Sequence, residues 1–366
     1  MAIVKDREET LRSFHEDVRS IALEPLWVIS ANVNTVEPTR EVQPWIWRWR
    51  DVRPRMIQAG ELMGVGHEGA DRRVLTMKNP SNTRELGTSR TLVSAVQMVY
   101  PGEEAPTHRH TMAALRFIIE GEGAKTIVNG EPLTMEPGDF LLTPSWTWHG
   151  HIHQGAGPML WLDVLDVPFV RGLDLGFYEE YSDPPRVQPA DRPIDDNLRR
   201  YGAGSLLPPP KAELSTPYSP LFSYKWRQAR ETLARLAGDD DSPYDGTAVT
   251  YTNPFTGGPV MPTINASLHL LRPGQSGNAH RHTSTTIYYV AEGRGSSILE
   301  GKRFDWEFGD TFVVPNWCWH EHTAVDGDAV LFAADDSPML KAVDLLREQS
   351  FPDNDGHQVV TGTCGV

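Results

Sequence analysis

The chain has 366 residues, 39% of them hydrophobic and 23% charged, which suffices for two buried cores and fits an ordinary globular protein. Its formal net charge of −15 repels phosphate backbones and anionic lipid surfaces, so neither nucleic acid nor a membrane is expected as partner. No run approaches the roughly 18 apolar residues of a membrane span. The opening MAIVKDREETLRSF has no apolar signal core, and the two cysteines, Cys318 and Cys364, imply no disulfide framework, so a reduced cytoplasmic protein is expected.

In chain order, Leu11, Phe14, Val18 and Ile21 recur at helical spacing and predict an amphipathic helix over 8–23 stopped by Pro25. Strands are predicted at Leu115–Ile119, Thr126–Val128 and Phe140–Thr143, bounded by Gly, Pro and the hairpin pair Asn129-Gly130. Residues 182–220, with Leu206-Leu207-Pro208-Pro209-Pro210 at their centre, read as a linker. Trp226, Leu233 and Leu236 suggest a short helix ended by Gly238. Strands then recur at Ile287–Val290, Ser297–Leu299 and Phe312–Val314. Ser337-Pro338 opens a last helix, with serine as cap and proline in the first turn.

The two strand groups are copies. Pro101-Gly102, His108, His110 and Gly121 return 172 residues later as Pro273-Gly274, His280, His282 and Gly293. From Asn129-Gly130 onward the offset is 171, through Gly138-Asp139, Pro144 and the WTWHGH that returns as WCWHEH. One repeat of this length is a duplicated domain, because solenoid periods run to roughly 20–50 residues. The expected division is a helical arm and lead-in strands over 1–90, a first β unit over 91–170, a linker with a short helix over 171–245, a second β unit over 246–336, and a C-terminal helix and tail over 337–366.

Residues i and i+2 of a strand share a face, so His108 and His110 present two imidazoles side by side. His149 follows a strand and the turn at Pro144, and a closed meander returns it beside them. Three convergent imidazoles make a metal site with open positions. The second unit repeats the set as His280, His282 and His320. Trp146, Trp148, Trp317 and Trp319 flank the third histidines and are expected as packed walls.

The pattern Gly102-x5-His108-x-His110-x3-Ala114-x6-Gly121, with Gly138-x5-Pro144-x-Trp146-x2-His149, resembles the two signature motifs of cupins. That resemblance implies a mainly β bicupin, two jelly-roll β-barrels with flanking helical arms. Metal-binding cupins usually carry glutamate where this chain has Ala114 and Thr286. Without it the metal keeps its full charge, which favours an anionic chelating substrate.

HRHTMAALRFIIEGEG with TPSWTWH, the arm from Leu26-Trp27 to Trp45–Trp49, and NPFTGGPVMPT at 253–263 closely resemble the gentisate 1,2-dioxygenase family and its salicylate- and 1-hydroxy-2-naphthoate-cleaving relatives. The resemblance implies homotetramers that use Fe(II) and O2 to open an aromatic hydroxy-acid between the carboxyl-bearing and hydroxyl-bearing carbons. It matches Arg72 and Arg116 to carboxylate-binding arginines, with Arg73 as a neighbour, and Gln97, His151 and Asp163 to other active-site positions. It places Val93 and Ala95 at the ring pocket, where the small Val93 suggests extra room. His151 is then a proton partner.

Arg116 lies six residues past His110, an even spacing that in a regular strand turns it inward, where an unpaired guanidinium would await the substrate's carboxylate. The second unit has Tyr288 there, so that unit is expected to hold a metal without cleaving substrate. Its histidines could instead be relics facing water. A non-catalytic anion-binding bicupin and a zinc enzyme are the rival readings; six retained histidines speak against the first, and oxygen dependence separates the second.

Overall fold

The computed structural model describes residues 2–66, 70–182, 187–204, 206–209, 216–239 and 241–364. The chain divides into two compact units, Met1–Thr39 and Arg40–Val366. The first holds the helices Ala2–Ser20 and Leu26–Val33. The helix expected over 8–23 thus starts earlier and ends sooner. Ala22, in the left-handed region at φ 60°, terminates it, and the N–H of Leu23 turns back to the Val18 carbonyl at 2.9 Å. Pro25 precedes the second helix rather than stopping the first.

The second unit contains the duplicated β structure, and its strands lie where the turn punctuation places them. Asn129 and Gly130 adopt φ 48° and 80°, as a two-residue hairpin turn requires. Each barrel is two antiparallel sheets. In the first, Val93–Val99, Met159–Leu165, Ala114–Glu120 and Phe140–Thr143 are neighbours in one sheet, and Glu104–His110, His149–His153, Ala124–Val128 and Glu131–Thr134 are neighbours in the other. The second barrel repeats this with Asn265–Leu271, Ala329–Asp335, Thr286–Glu292 and Thr311–Val314 opposite His280–His282, His320–Ala324, Arg294–Leu299 and Lys302–Glu307. Alternation along Ala114–Glu120 turns Arg116 into its own barrel and Phe117 toward the other. Phe117 meets Phe332 at 4.5 Å between ring centroids, and Phe140 meets Tyr251 at 4.5 Å, in one shared apolar core.

The barrels exchange arms. Trp45–Trp47, which precedes the first barrel, pairs with Thr311–Val314 of the second. Ser223–Tyr224, which precedes the second, pairs with Phe140–Thr143 of the first. Each arm continues into a helix, Trp49–Leu62 or Trp226–Leu236, whose first N–H is bound by the aspartate of a repeated Gly-Asp turn. Asp310 accepts from Trp49 at 2.8 Å and Asp139 from Trp226 at 3.0 Å. Glycine is required beside them, since a Cβ on Gly138 would lie 2.4 Å from the Trp226 ring and one on Gly309 would lie 2.5 Å from Trp49.

A second reciprocal link joins the barrel ends. The Thr263 hydroxyl donates to Asp166 at 2.6 Å and the Thr91 hydroxyl donates to Asp336. The same carboxylates accept the N–H groups of Ala113 and Thr285, each at 2.8 Å. Burial pushes Asp166 up to about 6 and Asp336 up to about 7, against the pull of those hydrogen bonds. Asp336, not Ser337, occupies the cap position of the helix Ser337–Ala342.

Four α-helices among the described residues were not predicted from the sequence: Leu26–Val33, Trp49–Leu62, which carries Pro54 inside it, Val167–Gly172, and Asp196–Tyr201 within the expected linker. The remainder of that linker falls partly outside the described residues, at 183–186, 205 and 210–215. No helix among the described residues is long and apolar enough to cross a membrane.

Candidate metal and substrate site

The strand Glu104–His110 carries His108 and His110 on one face, and its neighbour His149–His153 places His149 directly across from His108. The three rings gather with centroids 4.6 to 5.3 Å apart, and one ligand atom from each lies within 4.8 Å of the others. Nδ1 of His110 faces the Met112 carbonyl at 2.8 Å, and Nδ1 of His149 faces the Thr147 carbonyl at 3.0 Å. A carbonyl accepts only from a protonated nitrogen, so both rings leave Nε2 as a lone pair. Nδ1 of His108 lies 3.3 Å from the Tyr178 hydroxyl. Burial lowers His110 to about 4 and His149 well below the usual range, so both are neutral, the form that binds metal. This donor set fits a divalent ion with open positions.

Arg116 faces the barrel interior, though not for the reason its spacing suggested. The strand ends at His110, a turn intervenes, and Arg116 sits on the next strand, Ala114–Glu120. Nor is it unpaired. Its Nε lies 3.1 Å from Oδ1 of Asp163, the residue directly across the ladder, and its Nη1 donates to the Thr143 hydroxyl. Arg116 and Asp163 are 3% and 5% exposed. Burial raises Asp163 to about 6, opposed by Arg116, the Trp161 indole at 3.1 Å and Arg72. Asp163 is therefore mostly ionised at neutral pH.

Arg72 approaches the same space. Its Nη2 reaches the His149 carbonyl at 3.4 Å, and burial followed by repulsion from Arg116 lowers it to about 10. Arg73 points away and is consumed by Glu103 and the Met63 carbonyl. Val93, Ala95 and Gln97 alternate along Val93–Val99, opposite Leu165, Asp163 and Trp161, and all three are buried. His151 has Nδ1 3.0 Å from the Thr126 hydroxyl, and its ring lies 4.8 Å from that of Trp161. Burial, then Arg116 and Arg72, hold it neutral. Gln97 Nε2 and His151 Nε2 are buried without a hydrogen-bond partner, while Arg116 Nε and Asp163 Oδ1 meet each other only as an ion pair. Two orphaned polar atoms, one from each sheet of the barrel, beside a buried ion pair describe a place built for a polar ligand. Tyr178 belongs to no motif, and nothing in the repeat marked it.

In the second barrel, Tyr288 and Ala333 occupy the ladder positions of Arg116 and Asp163, and His269 that of Gln97. His280, His282 and His320 again converge within 4.8 Å, with His280 and His320 buried and His282 half-buried. Their cup, about 240 Å³, is lined by Asp245, Asp335 and Glu348 and by neither lysine nor arginine.

Residues 95–165 and 267–334 each match the cupin domain model. The chain is 38% identical to a 5-aminosalicylate 1,2-dioxygenase of Comamonas sp over 96% of this chain and 93% of that one. It is 37% identical to gentisate 1,2 dioxygenase 1 of Aquipseudomonas alcaligenes over 95% and 97%. The chain belongs to the gentisate 1,2-dioxygenase family. The crystal structure of salicylate 1,2-dioxygenase from Pseudoaminobacter salicylatoxidans with gentisate superposes with a TM-score of 0.85 at 33% identity, covering 93% of each chain. This dioxygenase is thus a ring-cleaving bicupin of a family that acts on aromatic hydroxy-acids.

Proposed function

We propose that this dioxygenase opens gentisate, 2,5-dihydroxybenzoate, between C1 and C2 to maleylpyruvate with both atoms of O2, using Fe(II) at His108, His110 and His149. The observation that carries this reading is the pair Arg72 and Arg116 beside the triad. Two guanidiniums and one ionised Asp163 leave one uncompensated positive charge, which a single carboxylate neutralises. Iron held by His108, His110 and His149 would supply the Lewis-acid and redox chemistry that the reaction of ring with O2 needs.

The chain's own residues do the rest. Arg116, fixed by Asp163 and Thr143, presents its remaining N–H groups to the carboxylate, and Arg72 grips it from the side of His149. Gln97 offers its free amide to a ring oxygen, and Val93 and Ala95 leave room for the ring. Neutral His151, oriented by Thr126, takes or returns a proton at Nε2. The Comamonas relative, as similar as the gentisate enzymes, favours 5-aminosalicylate as a second reading; both acids carry an electron-donating group para to the hydroxyl. The second barrel, with Tyr288 in place of the arginine, holds a metal and cleaves nothing. A cytoplasmic homotetramer completes the reading, checked by sedimentation.

Oxygen uptake tests it. Protein loaded with Fe(II), and separately with Zn(II), is offered gentisate, 5-aminosalicylate, salicylate and 1-hydroxy-2-naphthoate. Uptake only with iron, and greatest with gentisate, is expected. No uptake with any acid in iron-loaded protein would overturn the activity, and a different best substrate would replace gentisate.

A further inference from the structure

We infer that Arg109 is a positioning residue, pinned between Trp146 and Trp148 on the outer wall of the first barrel, where it locks the strand carrying His108 and His110 to the turn that delivers His149. It lies between the two histidines in sequence, so strand alternation points it outward as they point inward. Its guanidinium sits 4.5 Å from the centroid of the Trp146 ring and 4.5 Å from that of Trp148. Trp148 is the residue before His149. Arg109 also donates from Nε and Nη2 to Glu179 at 2.8 and 2.6 Å. Glu179 belongs to the edge strand Tyr178–Glu180, whose Tyr178 hydroxyl approaches His108. One side chain therefore joins the three segments that bear or touch the metal-facing histidines.

The backbone of the turn needs such a fastening. Trp146 is left-handed at φ 60°, a conformation that a bulky residue keeps only where its surroundings over-determine it. Its N–H bonds the His110 carbonyl at 2.8 Å, and its ring lies on Arg109. The second barrel repeats the device: Arg281 lies 4.3 Å from both Trp317 and Trp319, Trp317 has φ 55°, and its N–H bonds the His282 carbonyl at 2.7 Å. There Gln349 replaces the glutamate, accepting from Arg281 at 2.9 and 2.7 Å. Arg109 and Trp146 are partly open to solvent, Trp146 at 38%, so the stack adds little to the core. Its two-fold occurrence around both histidine triads ties it to the geometry of those triads.

The inference rests on metal binding at His108, His110 and His149. The test uses Co(II), whose visible bands report coordination geometry, in the full chain carrying His280→Ala to disable the second site. If this parent binds no Co(II), the metal reading fails and this one with it. If it does, Arg109→Ala is expected to bind Co(II) about 10–100-fold more weakly, the range for removing a ligand's supporting contact, with shifted bands. Arg109→Lys, which still places a cation between two rings, is expected to recover most of the affinity. The unfolding midpoint of the metal-free protein should stay near the parent's. Unchanged affinity and bands in Arg109→Ala would overturn the inference, as would a loss that lysine does not restore or one that follows a fall in the metal-free midpoint. Should the alanine variant not fold, Arg109→Met keeps the stem's packing and carries the same comparison.

Discussion

Replacing Arg116 with methionine removes two things at once. The first is half of a buried ion pair: Arg116 Nε and Asp163 Oδ1 lie 3.1 Å apart. Deleting one partner of such a pair costs about 3–5 kcal/mol, because the other charge stays behind without compensation. Asp163 can escape part of that cost. Already raised to about 6, it rises further without the guanidinium and takes a proton near neutrality. An acid whose folded pKa lies above its unfolded value loses stability as pH increases, so the deficit of Arg116→Met is expected to be larger at pH 8 than at pH 5. The second loss is a charge-assisted hydrogen bond to the substrate carboxylate, about 1.5–3 kcal/mol, equivalent to about 10- to 150-fold in substrate affinity. The double variant Arg116→Met, Asp163→Leu separates them. Urea unfolding should show stability recovered toward that of the parent chain, while calorimetric titration of the metal-loaded protein should show substrate affinity still weak. Substrate affinity regained along with stability would refute the anchoring role of Arg116.

Asp336 gives a prediction of opposite emphasis. Its rise from 3.8 to about 7 means that stability is lost as pH climbs through that window, about 2.5 kcal/mol between pH 5 and pH 8, and Asp336→Asn, which cannot ionise and can still bond Thr285 and Thr91, should flatten that slope in urea unfolding; an unchanged slope would place the titration elsewhere. For the second barrel, the pair His280→Ala, His282→Ala is expected to reduce bound metal from two to one per chain by elemental analysis while oxygen uptake persists. Turnover abolished with the first-barrel iron intact would mean that the second site serves catalysis.

What the sequence disclosed depended on how local each signal was. The histidine triads were legible because His-x-His on a strand and a third histidine past a turn are short patterns, written twice. Gly138-Asp139 and Gly309-Asp310 were visible as turns, but not as the caps of helices far along the chain, because that contact has no spacing to read. The Arg116–Asp163 pair was hidden for the same reason: the two residues meet only through the ladder, and each alone looked available. Arg109 drew no expectation, because its contacts with Trp146, Trp148 and Glu179 lie far along the chain. The helix Trp49–Leu62 drew no expectation either; it tolerates Pro54 in its N-terminal half, at the loss of one backbone hydrogen bond. The helix predicted over 8–23 was misplaced because its end is set by a left-handed alanine, which no composition rule announces.

The crossed arms carry a consequence for the chain's ancestry and its handling. Each copy of the duplicated unit gives its leading strand to the other copy, with matching register and matching aspartate caps. That is the arrangement of a two-fold homodimer in which partners trade an N-terminal segment, with its two chains spliced end to end. Neither half is then a self-sufficient module. A fragment cut at the linker would carry the wrong arm, leaving one sheet with a bare edge and one strand with nothing to lie against, and two such fragments would meet their needs only by finding each other.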